Sequence, residues 1–420
     1  MDCAQRLAHS ERYWWLADPL YSEGGNPRRA AHLHRQVLIL LRSGLPADEH
    51  FRWRREEGSE TVREVVLRYG WPSAAIWLGK GEDRSHDAYL RVRNTPSARP
   101  YTTLEYSGPR VRLAPTWESV KTPSALMNAS WQFGPRSGEQ MTGARNPWSP
   151  EEHMYLGVGT FALLDEGQFG FVRRGADTHL IAAVEVPRKF GDTPIPDGPA
   201  TIRLVAAAGP DRGGAVAEAV SAVPGRIALE GVVPDTGAML IGVELVAAHD
   251  DGLRARSRFA VVAPGPLAGL AADEVAMSDL FFFAPPTAGA LPASIDELLS
   301  VLSPSVTVAR GSPVGIFWET YGLARGDSVD IAVELSRVAG NSLLQRVGSG
   351  LRLTARVGPG VSFGWSETPT QGAGTAGAGT WSRSVVLDSR ELDPGAYWVT
   401  VEARRPGRNP VRHRRLMKIR

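Results

Sequence analysis

The chain has 420 residues with 43% hydrophobic and 22% charged content, ordinary globular usage that excludes global disorder and fits two to four domains. Net charge is only +2, so bulk charge does not make it a polyanion binder and nucleic acid is not an expected partner. One cysteine, Cys3, excludes an intrachain disulfide and a cysteine-based zinc cluster, and no apolar run of about 18 residues is present to span a membrane.

The N-terminal part reads as helical. Tyr13, Trp14 and Trp15 form a dense aromatic opening, and Asp18-Pro19 reads as a turn. Asn26 with Pro27 forms a helix start, after which Ala30, Leu33, Val37, Leu40 and Leu41 share one face until Gly44. Trp15 and Leu16 are expected in a core with Val37 and Leu41 as partners. A second helix begins at Thr61, whose spacing to Glu64 is that of a capping box, and Gly70 and Pro72 end it. Strands are predicted at 74–79, 89–93 and 101–106. These make residues 1–113 a small helical, α+β module, and 114–150 a Pro-, Gly- and Ser-rich connector.

From Met154 the pattern changes to short strands separated by turn residues. Strands are predicted at 178–187, 200–209, 215–223, 226–234, 238–249 and 253–264, then at 305–310, 314–323, 328–337, 351–358, 381–389 and 396–404. Residues 151–265 read as a first β-sandwich, 266–303 as a linker and 304–420 as a second β-sandwich. The two have immunoglobulin- or fibronectin-like character. The fold class is therefore mainly β, with a small N-terminal α+β module and two tandem β-sandwich domains. Residues 248–253 carry an Asp-Gly hairpin tip, and the segment near Gly372 is a Gly-rich loop.

Candidate sites are few. Eight of the 12 Trp precede residue 150, and Trp53, Trp71, Trp77, Trp117, Trp131 and Trp148 are the candidates for a carbohydrate- or peptide-binding face. Phe281, Phe282 and Phe283, with two prolines close behind, are either buried or a patch for a partner. Gly326-Asp327-Ser328 resembles the nucleophile motif of the SGNH esterases. The Asp-x-x-His that family pairs with it is missing, since Pro410 stands three before His413. His32 and His34 lie on different helix faces, Asp48, Glu49 and His50 lack a third-element ligand, and Asp250-Asp251 has too short a loop for calcium. No metal site and no cofactor are expected. The last 17 residues carry eight cations, suited to an anionic surface or to a solvated final strand that resists edge pairing.

Three segments occur in a telling order: Arg68-Tyr69-Gly70-Trp71-Pro72, then Met277-Ser278-Asp279-Leu280, then Leu392-Asp393-Pro394-Gly395-Ala396-Tyr397. With the opening "RYWWLADPLY" they resemble the GWxTD-domain-type bacterial proteins, although Gly70-Trp71 here continues as Pro72-Ser73-Ala74. That resemblance implies β-sandwich modules in an exported or envelope-associated protein, and it supplies no catalytic residues. The leading expectation is a non-enzymatic envelope, periplasmic or secreted protein of a GC-rich bacterium, its export signal upstream of this sequence and a cytoplasmic location left open. It would bind a partner protein or a surface polymer. The alternatives are a ligand-binding module built on the Trp-rich head and a hydrolase built on Ser328.

Overall fold

A computed structural model describes most of residues 2–37, the strand residues 74–77, 88–91, 103–105 and 161–163, most of 167–338, and 361–368 and 379–420. The chain is mainly β. Helix α1 (Cys3–Leu16) opens it, and further helical residues recur between 29 and 37. Strands β1 (Ala74–Trp77), β2 (Ala88–Arg91) and β3 (Thr103–Glu105) form a three-stranded antiparallel sheet, close to the predicted positions. Then come β4 (Phe161–Leu163), β5 (Gly167–Arg174), β6 (Asp177–Val186), the two-residue strands β7 (Lys189–Phe190) and β8 (Thr193–Pro194), β9 (Gly198–Gly209) and β10 (Arg212–Val223). They are followed by β11 (Gly225–Val232), β12 (Gly237–Ala247), β13 (Arg254–Ala263), β14 (Ala276–Met277), β15 (Phe281–Phe283) and the short helix α2 (Ile295–Val301). The remaining strands are β16 (Thr307–Val308), β17 (Val314–Leu323), β18 (Val329–Arg337), β19 (Val361–Glu367), β20 (Gly379–Leu387), β21 (Gly395–Arg404) and β22 (Val411–Ile419). The strand predicted at 351–358 lies outside the described residues.

Two compact units result. The first is Met1–Leu163 with Ala207–Ala215 and Ala238–Val261; the second is Leu164–Ala206 with Val216–Gly237 and Val262–Arg420. Strands β5, β6 and β11, expected in a first sandwich, thus belong to the second unit. In the first unit β12 and β13 are sheet neighbours, and β4 runs parallel along β13 from Phe161 opposite Arg254. Leu16 of α1 is fully buried and clusters with Tyr13 and with Leu240 of β12. The expected partner Val37 is 54% exposed and Leu41 lies outside the described residues, so the helical-pair core is corrected: Leu16 packs on a sheet. A β-sheet offers a wider apolar surface than the narrow stripe through Leu33 and Val37.

The second unit stacks layers on either side of β17. One is the sheet β16-β22-β21-β18-β19; the other is the sheet β11-β6-β5 together with α2. β17 pairs with β14, β15 and β20, and nine of its ten residues are buried. Strand side chains alternate between faces. Val314, Ile316 and Trp318 therefore enter the core shared with β18 and β21, which contribute Ile331, Val333, Val399 and Val401. Phe317 enters the opposite core with Val172, Ile181, Ile295 and Leu298. A strand buried on both faces must read as a nearly continuous apolar run, as "VGIFW" does.

Residues 266–303 are corrected from a linker to part of this architecture. Met277 pairs with Thr320, and Phe281, Phe282 and Phe283 pair with Phe317, Ile316 and Gly315 of β17. The three phenylalanines are 0%, 0% and 1% exposed, so the partner-patch alternative falls. Phe282 faces one core and Phe281 and Phe283 the other. Their rings need glycine opposite: a Cβ on Gly315 would meet the Phe283 ring at 2.2 Å, and one on Gly170 the Phe281 ring at 2.7 Å. Helix α2 is capped at both ends. Ser294 Oγ accepts from Glu297 N (3.3 Å), Glu297 Oε2 accepts from Ala293 N (2.8 Å), and Arg226 donates to the carbonyls of Leu299 (2.7 Å) and Ser300 (2.9 Å).

The packing of Phe283 on Gly315 has a direct test. Gly315→Ala is expected to lower unfolding free energy by about 1–3 kcal/mol, the usual penalty for overpacking a closed core. Gly265→Ala, where an added Cβ meets nothing within 4 Å, should stay within about 0.5 kcal/mol. Urea unfolding followed by tryptophan fluorescence distinguishes them.

Candidate functional site

The buried charged side chains Glu319, Glu244, Arg256 and Arg258 anchor two clusters, one in each unit. In the second unit the cluster begins with a backbone problem. β5 is the last strand of its three-stranded sheet, so Phe169, Phe171 and Arg173 turn their N–H and C=O groups away from β6. Buried backbone polar groups must find partners. Side chains and one loop residue supply them in place of a strand. Asp279 Oδ2 accepts from Phe171 N (2.7 Å), and Asp279 N donates to Phe171 O (3.1 Å). Tyr321 Oη accepts from Arg173 N (3.0 Å), and Arg174 Nη1 donates to Arg173 O (3.0 Å). Arg415 donates to Phe169 O (2.8 Å) and to Leu280 O. Gln168 Nε2 donates to the carbonyls of Phe282 (2.9 Å) and Ser303 (2.6 Å), while its Oε1 accepts from Phe282 N (2.9 Å).

Glu319 sits at the centre with 1% exposure. Arg174 donates to it in bidentate fashion, Nη1 to Oε2 (2.6 Å) and Nη2 to Oε1 (2.8 Å). Tyr321 Oη donates to Oε2 (2.8 Å), and Ser382 Oγ to Oε1 (3.3 Å). Four donor groups thus compensate a desolvated carboxylate. Burial, with Glu319 beside it, raises the Tyr321 hydroxyl well above the usual tyrosine range, so it remains a donor. Burial alone would raise Asp279, but His413, the Phe171 N–H and Arg415 outweigh it and hold that carboxyl below its ordinary value. Burial pushes the Arg415 guanidinium down to about 10 against the pull of Asp279, which leaves it a cation at neutral pH.

In the first unit, Glu244 on β12 and Arg256 and Arg258 on β13 are 2%, 1% and 7% exposed. They also read backbone. Glu244 accepts from Tyr21 N (2.8 Å) and Ser22 N (2.9 Å), and Arg258 donates to it at 3.2 Å. Arg256 and Arg258 each donate to the Asp18 carbonyl, at 3.0 and 2.9 Å. A ladder of flat groups crosses this point: Arg12 over Trp15 (5.5 Å), Trp15 stacked on Tyr21 (5.4 Å, 7°) and Arg258 over Tyr21 (3.7 Å). Burial pushes the Tyr21 hydroxyl up to about 12.

The sites predicted from sequence fare unevenly. Trp53, Trp71, Trp117, Trp131 and Trp148 lie outside the described residues; Trp77 ends β1, with only its backbone described. Asp48, Glu49, His50, the helix from Thr61 and the 248–253 turn also lie outside them. Ser328 follows a turn in which Ala324 N donates to Asp327 Oδ2 (2.7 Å) and Asp327 N donates to Ala324 O (3.1 Å). Among the described residues no histidine hydrogen-bonds Ser328, and no group of three or more His, Cys, Asp or Glu is arranged to hold a metal. The basic terminus is largely engaged internally. Arg415 sits in the β5 seam, Arg412 pairs with Glu402, Arg405 with Asp327 (3.1 Å), and Arg414 lies over Trp398 (4.5 Å).

Sequence reasoning missed β5, Gln168, Glu319 and the Glu244-Arg256-Arg258 set. The available signal was "ARSR" and "VEL" charges inside otherwise apolar strands, which mark buried polar groups in need of partners.

The test of the seam is Glu319→Gln, which leaves Arg174 without its charged partner. It is expected to lose about 3 kcal/mol or more of unfolding free energy, measured by urea denaturation. Arg390→Gln, at the exposed pair with Asp388, should leave the urea midpoint where it is.

No family model matches the chain, and no curated protein matches it. Among solved structures, it is similar to a red sea bream transglutaminase at 8% sequence identity and a TM-score of 0.18, covering 90% of this chain and 43% of that one. The chain thus spans less than half of that enzyme's length, and a likeness of this size says nothing about its chemistry.

Proposed function

We propose that the chain is a non-enzymatic structural or interaction protein of the bacterial envelope or exterior, acting as a rigid β scaffold that assembles with a partner protein or surface polymer. The observation that carries this reading is the use made of the charges along the two seams. Glu319, Asp279, Arg415, Glu244, Arg256 and Arg258 are engaged with the chain's own backbone and with one another. Charges so engaged set the position of strands; a catalytic acid or base keeps reach to a substrate proton.

Two sequence motifs support the same reading. Met277-Ser278-Asp279-Leu280 is the clasp on β5: Ser278 Oγ accepts from Glu319 N (2.9 Å) and donates to Asp279 O (2.8 Å), while Asp279 holds Phe171. In residues 392–397, Tyr397 Oη donates to Asp393 O (2.8 Å), a tie of the tyrosine-corner kind used by Greek-key sandwiches. Two of the segments by which the chain resembles GWxTD-type proteins therefore do architectural work, and envelope placement rests on that resemblance.

Crosslinking in the source cell, followed by native purification, tests the proposal. A discrete complex of constant composition is expected, with Ser328→Ala leaving it unchanged. A chain that runs alone in every fraction overturns the assembly reading, and so does a hydrolytic activity lost in Ser328→Ala.

A further inference from the structure

The outward face of the sheet β16-β22-β21-β18-β19 carries charges that the β5 seam does not use. Val399, Val401, Ala403, Met417 and Ile419 enter the core, so the residues between them on β21 and β22 alternate onto the opposite face, His413 and Arg415 staying on the core side with the seam. The strand register sets the outward residues in rows: Glu402 beside Arg412, Thr400 beside Arg414, Trp398 beside Leu416, and Ala396 beside Lys418. Arg404, Arg412, Arg414 and Lys418 are exposed. These four cations share β21 and β22 with one outward carboxylate, Glu402, which accepts from both Arg404 (3.0 Å) and Arg412. The Arg414 guanidinium lies over the Trp398 ring (4.5 Å). Stacking engages the plane of a guanidinium and leaves its N–H edge to a ligand. Among the described residues no carboxylate pairs with Arg414 or Lys418.

We propose that the outward face of β21 and β22 docks an acidic polysaccharide, its carboxylates received by Arg412, Arg414 and Lys418 and its sugar rings lying along Trp398, Leu416 and Thr400. The inference rests on the reading of the chain as a binder of a surface polymer, and it names that polymer's chemistry. From Arg412 to Lys418 the row extends roughly 20 Å at about 3.4 Å per strand residue. That is too long for one small anion and suits a polymer whose charges recur. Arginine adds direction, since its N–H fork meets a carboxylate with two parallel bonds. The neighbours select a sugar chain over a phosphate backbone. Trp398 and Leu416, both half-buried, stand between Arg414 and Lys418, which matches a ligand that alternates charge with the C–H face of a ring. On β18, the exposed Asp330 and Glu334 stand opposite Arg404 and Thr400. Carboxylates there accept hydrogen bonds from sugar hydroxyls and repel a run of phosphates crossing the sheet. They hold a polyanion to a path along β22.

Isothermal titration of the intact protein with polygalacturonate tests the site. Binding is expected at low salt and should weaken severalfold as added salt screens the exposed charges. Arg414→Gln and Lys418→Gln should each weaken it about twofold to fivefold, the range of one exposed ion pair, with the urea midpoint unchanged. Arg390→Gln, at the exposed pair with Asp388, should bind as the parent does. Should Arg414→Gln shift the urea midpoint, Lys418→Gln decides alone. Absence of binding at low salt overturns the proposal, as does equal binding by the parent and by the variant that decides. Equal binding of neutral dextran overturns it too, and tighter binding of single-stranded DNA assigns the face to nucleic acid instead. A discrete cellular complex made of protein alone, without polygalacturonate binding, overturns the polysaccharide and leaves the scaffold reading standing; neither complex nor binding overturns both.

Discussion

A carboxylate in the middle of a strand buried on both faces is the constraint around which the second unit is organised. Glu319 cannot reach water from β17, and an uncompensated charge there would cost several kcal/mol or more. Its neutralising partner, Arg174, comes from the end of β5. The ion pair thereby fixes where β5 lies, and β5 carries with it β6 and β11. The apolar layers on either side of β17 would tolerate many slid arrangements, because the hydrophobic effect has no direction. The bidentate pair has one geometry.

The same logic runs along the whole β5 edge. An open strand edge is a template for unwanted pairing, and proteins blunt it in various ways. Here Asp279, Tyr321, Arg174 and Arg415 occupy alternate backbone positions that a neighbouring strand would otherwise fill. The first unit repeats the device with Glu244, Arg256 and Arg258 on the segment after α1. Side-chain recognition of backbone holds each segment at one register without demanding a matching strand.

The opening "RYWW" acquires a specific meaning in this light. Trp15 is a rung between Arg12 and Tyr21, and Tyr21 is in turn covered by Arg258. Leu16 supplies the apolar anchor on Leu240. The aromatic cluster therefore seats the segment whose amides Glu244 reads. Likewise, the three phenylalanines that looked available to a partner are divided between two cores of their own chain.

Local pattern sufficed for the mainly β character, for the strands corresponding to β1, β2, β3, β6, β9 to β13, β16 to β18, β20 and β21, and for the lack of a membrane-spanning helix among the described residues. Alternation and turn residues are encoded within a few positions of one another, so sequence alone determines them. The role of 266–303 was not legible, because its strands are two and three residues long and their apolar character matches a linker until β17 is placed beside them. The partners of Glu319, Asp279 and Glu244 were not legible either. Each of these carboxylates meets groups more than 100 positions away, and a buried charge reveals its role only when the tertiary structure shows which donor it has met.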